Sequence, residues 1–256
     1  MILDRRRYGK DNYTYLLAEG ADAALVDPGD PVIALGMAAA HGLHPRWILH
    51  THGHPDHTGG SAVLRARLGA RVLGHGADAD RFAPDEDLRG RAEVSLGALR
   101  VRVHEAPGHT PGAVLFEAGG RLLTGDTLFW AGSGNCRSGG DPAVLARTFT
   151  TVFPRLDGRL LVHPGHDYAE RNLGFVLALE PGNEAARRRL EEVRAAHARG
   201  EELPAPTLDA ERAANPFLRT GEPAVRQAVA RRAGAPVGPG PEAVFVALRA
   251  LRDRAV

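Results

Sequence analysis

Between residues 51 and 57 the chain reads Thr51-His52-Gly53-His54-Pro55-Asp56-His57, directly after the apolar run Trp47-Ile48-Leu49. Three imidazoles and a carboxylate crowd the end of a predicted strand. A turn needs no histidine, so a solvated polar loop does not account for them. Imidazole nitrogens and carboxylate oxygens suit zinc, iron or manganese, and a segment leaving a strand can aim several of them at one point. One segment cannot surround a metal centre, so the rest of the chain has to fold in a way that brings further ligands to it.

Three later segments repeat the same local grammar. Pro107-Gly108-His109-Thr110-Pro111-Gly112 follows the alternating Leu99–Val103 run, Gly125-Asp126-Thr127 follows Leu122-Leu123, and Pro164-Gly165-His166-Asp167 follows Leu160-Leu161-Val162. Each sets one candidate ligand in a Gly- or Pro-bearing turn just past a short apolar strand. Four strand ends then converge on one edge of a sheet or sandwich. The pooled set is His52, His54, Asp56, His57, His109, Asp126 and His166, enough for two adjacent metals.

Around these segments, strand-like runs at 13–17, 23–26, 47–49, 71–73, 101–104, 113–116, 122–124 and 160–163 alternate with helical patterns at 32–41, 60–68 and 142–153. Gly119-Gly120 marks a hairpin. This mixture predicts a layered α/β domain. Beyond residue 170 the pattern becomes helical, at 170–179, 183–199, 222–232 and 242–252, with Pro-rich links. The expected division is a catalytic domain over 1–170 and a helical, substrate-binding subdomain over 171–256.

The segments Thr51–His57, Gly108–Gly112, Gly125-Asp126-Thr127-Leu128-Phe129 and Pro164–Tyr168 resemble those of metallo-β-lactamase-fold hydrolases. Glu180-Pro181-Gly182-Asn183, Asn215-Pro216-Phe217-Leu218-Arg219 and the 245–253 segment resemble the glyoxalase II (hydroxyacylglutathione hydrolase) branch in particular. The resemblance covers nearly the whole chain. It implies a four-layer αββα sandwich followed by helices, and two divalent metals per chain, zinc first, with iron and manganese also suited to the ligands. It implies that His52, His54 and His109 hold one metal and Asp56, His57 and His166 the other. It implies further that Asp126 bridges them, and that Asp56 and Asp126 are the catalytic carboxylates. Such a pair typically lies ~3.5–4 Å apart and lowers the pKa of bound water to ≈ 7, which makes hydroxide available to attack a carbonyl. A thiolate, with a conjugate acid near pKa ~8.5, leaves without a strong general acid, so a small-molecule thioester suits the site.

Tyr168, Arg249 and Arg252 match glutathione-binding positions of that family, Arg252 standing where Lys is usual. Asn135 stands where the family carries a basic residue, and a neutral amide cannot make the same charge-assisted bond to a carboxylate. Arg137, two positions on, is the candidate substitute. Coenzyme A, an acyl carrier protein or another small thiol therefore remain alternative carriers. A persulfide dioxygenase, a β-lactamase and a non-catalytic redox scaffold are weaker readings. The first normally lacks the second metal site, the second lacks these C-terminal helices, and the third wants Glu at position 54. Asp27 reads equally well as a turn residue or as an acceptor orienting the ligand loop. Cys136 reads as a small packing residue.

Composition narrows the setting. The 256 residues are 43% hydrophobic with net charge +1, which permits a large core and gives no broad basic footprint for nucleic acid. The single Cys136 excludes an intrachain disulfide framework and fits a reducing compartment. No apolar stretch approaches membrane-spanning length, and Met1 opens onto Asp4-Arg5-Arg6-Arg7 without an apolar leader. The expectation is a cytoplasmic protein without membrane or nucleic-acid partners. Its oligomeric state is not legible.

Overall fold

The computed structural model describes residues 1–255. One sheet contains, in spatial order, β1 (Ile2–Tyr8), β2 (Asn12–Glu19), β3 (Asp22–Val26), β4 (Trp47–Leu49), β5 (Arg71–Gly74) and β6 (Glu86–Asp87). β1 to β3 pair antiparallel and β3 to β6 parallel. Parallel neighbours need crossovers; α1 (Pro31–Ala40) serves β3–β4, and α2 (Pro55–Thr58) with α3 (Ser61–Leu68) serves β4–β5.

The second sheet is built from the meander β7 (Glu93–Leu96), β8 (Leu99–Glu105), β9 (Val114–Ala118) and β10 (Arg121–Gly125). Gly119 and Gly120, both at positive φ, close the β9–β10 hairpin as the sequence predicts. After a short ribbon, β11 (Leu128–Phe129) and β12 (Gly132–Ser133), and helix α4 (Pro142–Thr151), strand β13 (Leu161–Pro164) returns parallel beside β10.

Alternation along the strands makes the layers. Leu16, Ala18, Ala23, Leu25, Ile48 and Val72 pack with Ala34 and Met37 of α1 and Leu64 of α3. Their neighbours Tyr15, Leu17, Ala24, Val26, Leu49 and Leu73 point the other way, into a core shared with Val101, Val103, Phe116 and Leu122 of the second sheet. The same core continues into α4 and into α5 (Ala169–Leu179), α6 (Glu184–Arg199), α7 (Leu208–Ala214), α8 (Pro223–Ala233) and α9 (Pro241–Arg254). The Phe149 ring of α4 and the Phe245 ring of α9 lie 4.8 Å apart at that junction. The result is the αββα sandwich with a helical C-terminal region.

Local chemistry fixes where the crossovers begin. Asp30 before Pro31 and Asp141 before Pro142 each cap a helix, their carboxylates accepting from the second and third backbone N–H groups. The predicted strands and helices all appear, with ends shifted by one to a few residues. The longer elements not expected from sequence are β1, β7 and α7, and the short β6, α2 and β11–β12 pieces were not expected either.

Strand direction positions the site. β8 and β10 both run antiparallel to β9, and β13 runs parallel to β10, so all three end on one edge. Val114 N donates to Thr51 O at 2.8 Å, and Tyr13 N to Gly165 O at 2.8 Å, which bring the ends of β4 and β13 together across the sandwich.

Candidate metal centre

The 52–57 segment is not a plain loop. Pro55 opens α2, so His52 and His54 precede a helical turn while Asp56 and His57 lie within it. One short segment thereby serves two points in space. The donor atoms of His52, His54 and His109 lie within 4.8 Å of one another, and so do those of Asp56, His57 and His166. Asp126 stands between the groups. Its Oδ1 is 3.4 Å from His57 Nε2, and its Oδ2 is 3.6 Å from His109 Nε2 and 3.3 Å from His166 Nε2. All seven predicted ligands come together at the strand ends.

Outer partners decide which nitrogen each ring presents. A carbonyl only accepts, so the His109 Nδ1–H donates to Asn135 O at 2.6 Å and the His54 Nε2–H to Ser138 O at 3.2 Å. His57 Nδ1–H donates to Asp27 Oδ2 at 3.2 Å, and His166 Nδ1–H to Asp11 Oδ1 at 2.9 Å. Nε2 of His57, His109 and His166 and Nδ1 of His54 are left facing inward. Those inward nitrogens approach closely, 3.0 Å between His109 and His54 and 3.2 Å between His57 and His166. Lone pairs at that range repel unless a cation or proton lies between them.

The electrostatics also call for cations. Burial disfavours a charge on His166, yet the carboxylates of Asp126, Asp56 and Asp11 outweigh it and hold the ring up at about 11. In the other group burial dominates, pushing His52 and His109 down toward the neutral form that binds metal. Burial would raise the Asp126 carboxyl, but His166 and His57 hold it well below the usual carboxylate range. Most telling, His52 Nε2 and Asp126 Oδ1 are buried without a hydrogen-bond partner. Orphaned acceptors of this kind are costly, and a divalent cation would satisfy both. The donor set, imidazoles with hard carboxylate oxygens, fits zinc, iron or manganese.

Asp27 proves to be an orienting acceptor. Besides His57 it takes Thr51 N at 2.8 Å and Thr51 Oγ1 at 2.5 Å, and it does so from φ 48°, a conformation that strains a non-glycine residue. Cys136 is half-buried, and burial pushes its thiol up to about 11, as suits a packing residue.

The predicted carrier-binding residues are placed differently from one another. Tyr168 lies at the centre, its ring stacked 4.8 Å from His166 at 8°. Arg249 and Arg252 are only 6% and 5% exposed. Arg249 donates to Ser133 O at 2.8 Å and pairs with Asp253 at 2.9 Å, while Arg252 donates to Asn172 Oδ1 at 3.1 Å. Asn135 meets the centre through its backbone carbonyl, and its side chain accepts from Arg137 N. The Arg137 guanidinium donates to Asp253 O at 2.7 Å. Arg249 and Arg252, expected as carrier-binding residues, chiefly bind protein groups here.

Several site residues had no motif to announce them. Asp11 and Asn12 back His166 and Asp56, the latter through Asn12 Nδ2 and Asp56 Oδ2 at 2.9 Å. Arg171, one turn after Tyr168, holds its guanidinium 4.6 Å from that ring's centroid. Glu211 and Asn215 grip the β11–β12 ribbon, Glu211 taking Ala131 N at 2.8 Å and Asn215 giving to Gly132 O at 3.0 Å. Asn215 does open the Asn215–Arg219 segment singled out in the sequence, but nothing there announced its partner Glu211 or the contact with the ribbon.

Comparison with known families and proteins agrees with this geometry. The metallo-beta-lactamase superfamily model matches residues 7–181, and a model described as hydroxyacylglutathione hydrolase C-terminus matches residues 167–255. A protein of Anaeromyxobacter dehalogenans (strain 2CP-C) named hydroxyacylglutathione hydrolase is 70% identical over 255 residues, covering 100% of both chains. Among solved structures, ETHE1 from Myxococcus xanthus aligns with TM-score 0.61 and 33% identity over 66% of this chain and 76% of its own. TTHA1623, crystallised in a di-iron-bound form, aligns with TM-score 0.56 and 29% identity over 65% of this chain and 92% of its own.

Proposed function

The chain belongs to the hydroxyacylglutathione hydrolase family within the metallo-β-lactamase superfamily, and from that premise we propose a metal-dependent hydrolase of hydroxyacylglutathione thioesters. S-lactoylglutathione, split to lactate and free thiol, is the leading substrate. The observation that carries the reading is the convergence of seven N and O donors with two of them orphaned, His52 Nε2 and Asp126 Oδ1.

His52, His54 and His109 would hold one ion, Asp56, His57 and His166 the other, and Asp126 both. Two ions agree with the di-iron form named for TTHA1623. Zinc is the first candidate for this chain and iron or manganese the alternatives. Bound there, the ions would supply a nucleophilic water at neutral pH and polarise the thioester carbonyl. The chain's own part is orientation. Asp27, Asp11, Asn135 O and Ser138 O fix the rings, so little reorganisation remains for the reacting state. Asp56, half-exposed beside buried neighbours, stands at the open side.

Tyr168 and the guanidinium groups next to it form the carrier wall in this reading. Arg252 and Arg171 pair with no carboxylate among the described residues, and each lowers the cost of bringing an anionic thiol carrier alongside His166. The division follows: 1–170 for the chemistry, 171–256 for the carrier. A reducing, cytoplasmic setting remains the proposal, on the strength of the lone Cys136. Among the described residues no helix is long and apolar enough to cross a membrane.

A panel of substrates tests the reading, with released thiol as the signal. S-D-lactoylglutathione should be cleaved far faster than acyl-coenzyme A, a β-lactam or a phosphodiester. Oxygen uptake with glutathione persulfide above the rate of thioester hydrolysis would overturn the assignment. For the wall, Arg171→Ala together with Arg252→Ala should raise KM about tenfold or more with metal content unchanged, since binding rather than chemistry is lost. An unchanged KM on every thioester would remove the helical region from carrier binding.

A further inference from the structure

We propose that Asp78 is a positioning residue for one half of the metal centre, the group of His52, His54 and His109. The inference rests on the metal-centre reading above. Asp78 ends the 3-10 turn Gly76–Asp78 that follows β5, and only 1% of it is exposed. No arginine, lysine or histidine pairs with it among the described residues. A buried carboxylate without a cation is costly unless hydrogen bonds replace its water. Three do so here. Asp78 Oδ2 accepts from Gly53 N at 2.9 Å and from Thr110 Oγ1 at 2.6 Å, and Oδ1 accepts from Gly112 N at 2.8 Å.

The donors lie in two segments far apart in sequence. Gly53 stands between His52 and His54, while Thr110 and Gly112 follow His109. One carboxylate thus ties the loop bearing two ligands to the loop bearing the third. The contact also explains two glycines. A Cβ on Gly53 would sit 2.9 Å from Asp78 Cβ, and one on Gly112 would sit 2.8 Å from Asp78 Cγ. The other half of the centre has its own supports in Asp11 and Asn12, Asp27 serves both halves through His57 and Thr51, and Asp78 accepts no hydrogen bond from the second group.

Asp78→Asn keeps the shape and exposes the role. Whichever way the amide turns, its NH2 faces either the Gly53 or the Gly112 N–H, and that donor loses its acceptor. The affinity of the first group should therefore fall, while that of Asp56, His57 and His166 holds. The test titrates zinc into metal-stripped full-length protein against a chelating dye, in two backgrounds. In His166→Ala, where the first group remains intact, Asp78→Asn should weaken zinc roughly 10- to 100-fold. In His109→Ala, where the second group remains, it should change affinity less than about twofold.

Equal losses in both backgrounds would mean general destabilisation and overturn the proposal, as would no loss in either. Failure of the parent protein to bind zinc would instead overturn the metal-centre reading, so the two failures are distinct. Should Asp78→Asn not fold, Thr110→Val removes one donor and keeps both glycine contacts. It must lower zinc affinity in the His166→Ala background alone, and a lack of effect there sinks the proposal.

Discussion

In the proposed function Asp126 is the shared ligand, because its two oxygens face different neighbours, Oδ1 toward His57 and Oδ2 toward His109 and His166. Asp126→Asn would keep the shape but lose the charge and put an NH2 donor among inward nitrogens. Thiol release should drop at least about 100-fold and one ion should be lost, as metal analysis beside kinetics would show. Full activity in that variant would refute the bridge. The convergence of the seven candidate donors was legible because each is a rare residue type in a stereotyped place, just past an apolar strand. Their supports were not. Asp11, Asp78 and Glu211 are single acids in ordinary turns or helices, and their roles exist only once distant segments meet.

Among the elements, the β11–β12 ribbon links the helical region to the metal centre. Its Ala131 stands at φ 55°, and the ribbon leads into Asn135, whose carbonyl holds His109. Glu211 of α7 clamps it from a fully buried position. Burial pushes the Glu211 carboxyl up to about 7 from its ordinary 4.5, although bonds from Ala131 N–H and Asn215 pull the other way. Between pH 4.5 and 7 the folded protein therefore holds a proton that the unfolded chain releases. Stability from this group is full below about 4.5, falls as pH rises to about 7, and is level above it, a loss of up to about 3 kcal/mol. Glu211→Gln mimics the protonated acid, so the difference in urea stability between variant and parent should grow in the variant's favour across that window. A difference that stays flat with pH would contradict the buried, proton-holding clamp. α7 itself escaped the sequence reading because seven residues give too little periodicity. β1 escaped it because Asp4-Arg5-Arg6-Arg7 reads as a charge run. Arg5 in fact turns inward, donating to Leu203 O at 2.8 Å, while Arg6 and Arg7 face solvent. The longer alternating strands and the Gly119-Gly120 hairpin were plain, since period and turn chemistry are local.

For the whole molecule, two sheets and the C-terminal helices share one apolar core, so the proposed carrier wall and the candidate metal loops are anchored in the same core. The layered α/β class followed from alternating strand and helix patterns and the αββα layering from family resemblance, but the pairing order of the strands is a long-range matter that periodicity does not encode. The central claim is that a pair of ions in the seven-donor site enables thioester cleavage. Zinc titrated into metal-stripped protein, with thiol release from S-D-lactoylglutathione followed at each addition, tests it directly. The account predicts negligible release without metal and a rise that breaks at about two equivalents per chain. Full activity at about one equivalent, or release that persists without metal, would contradict it.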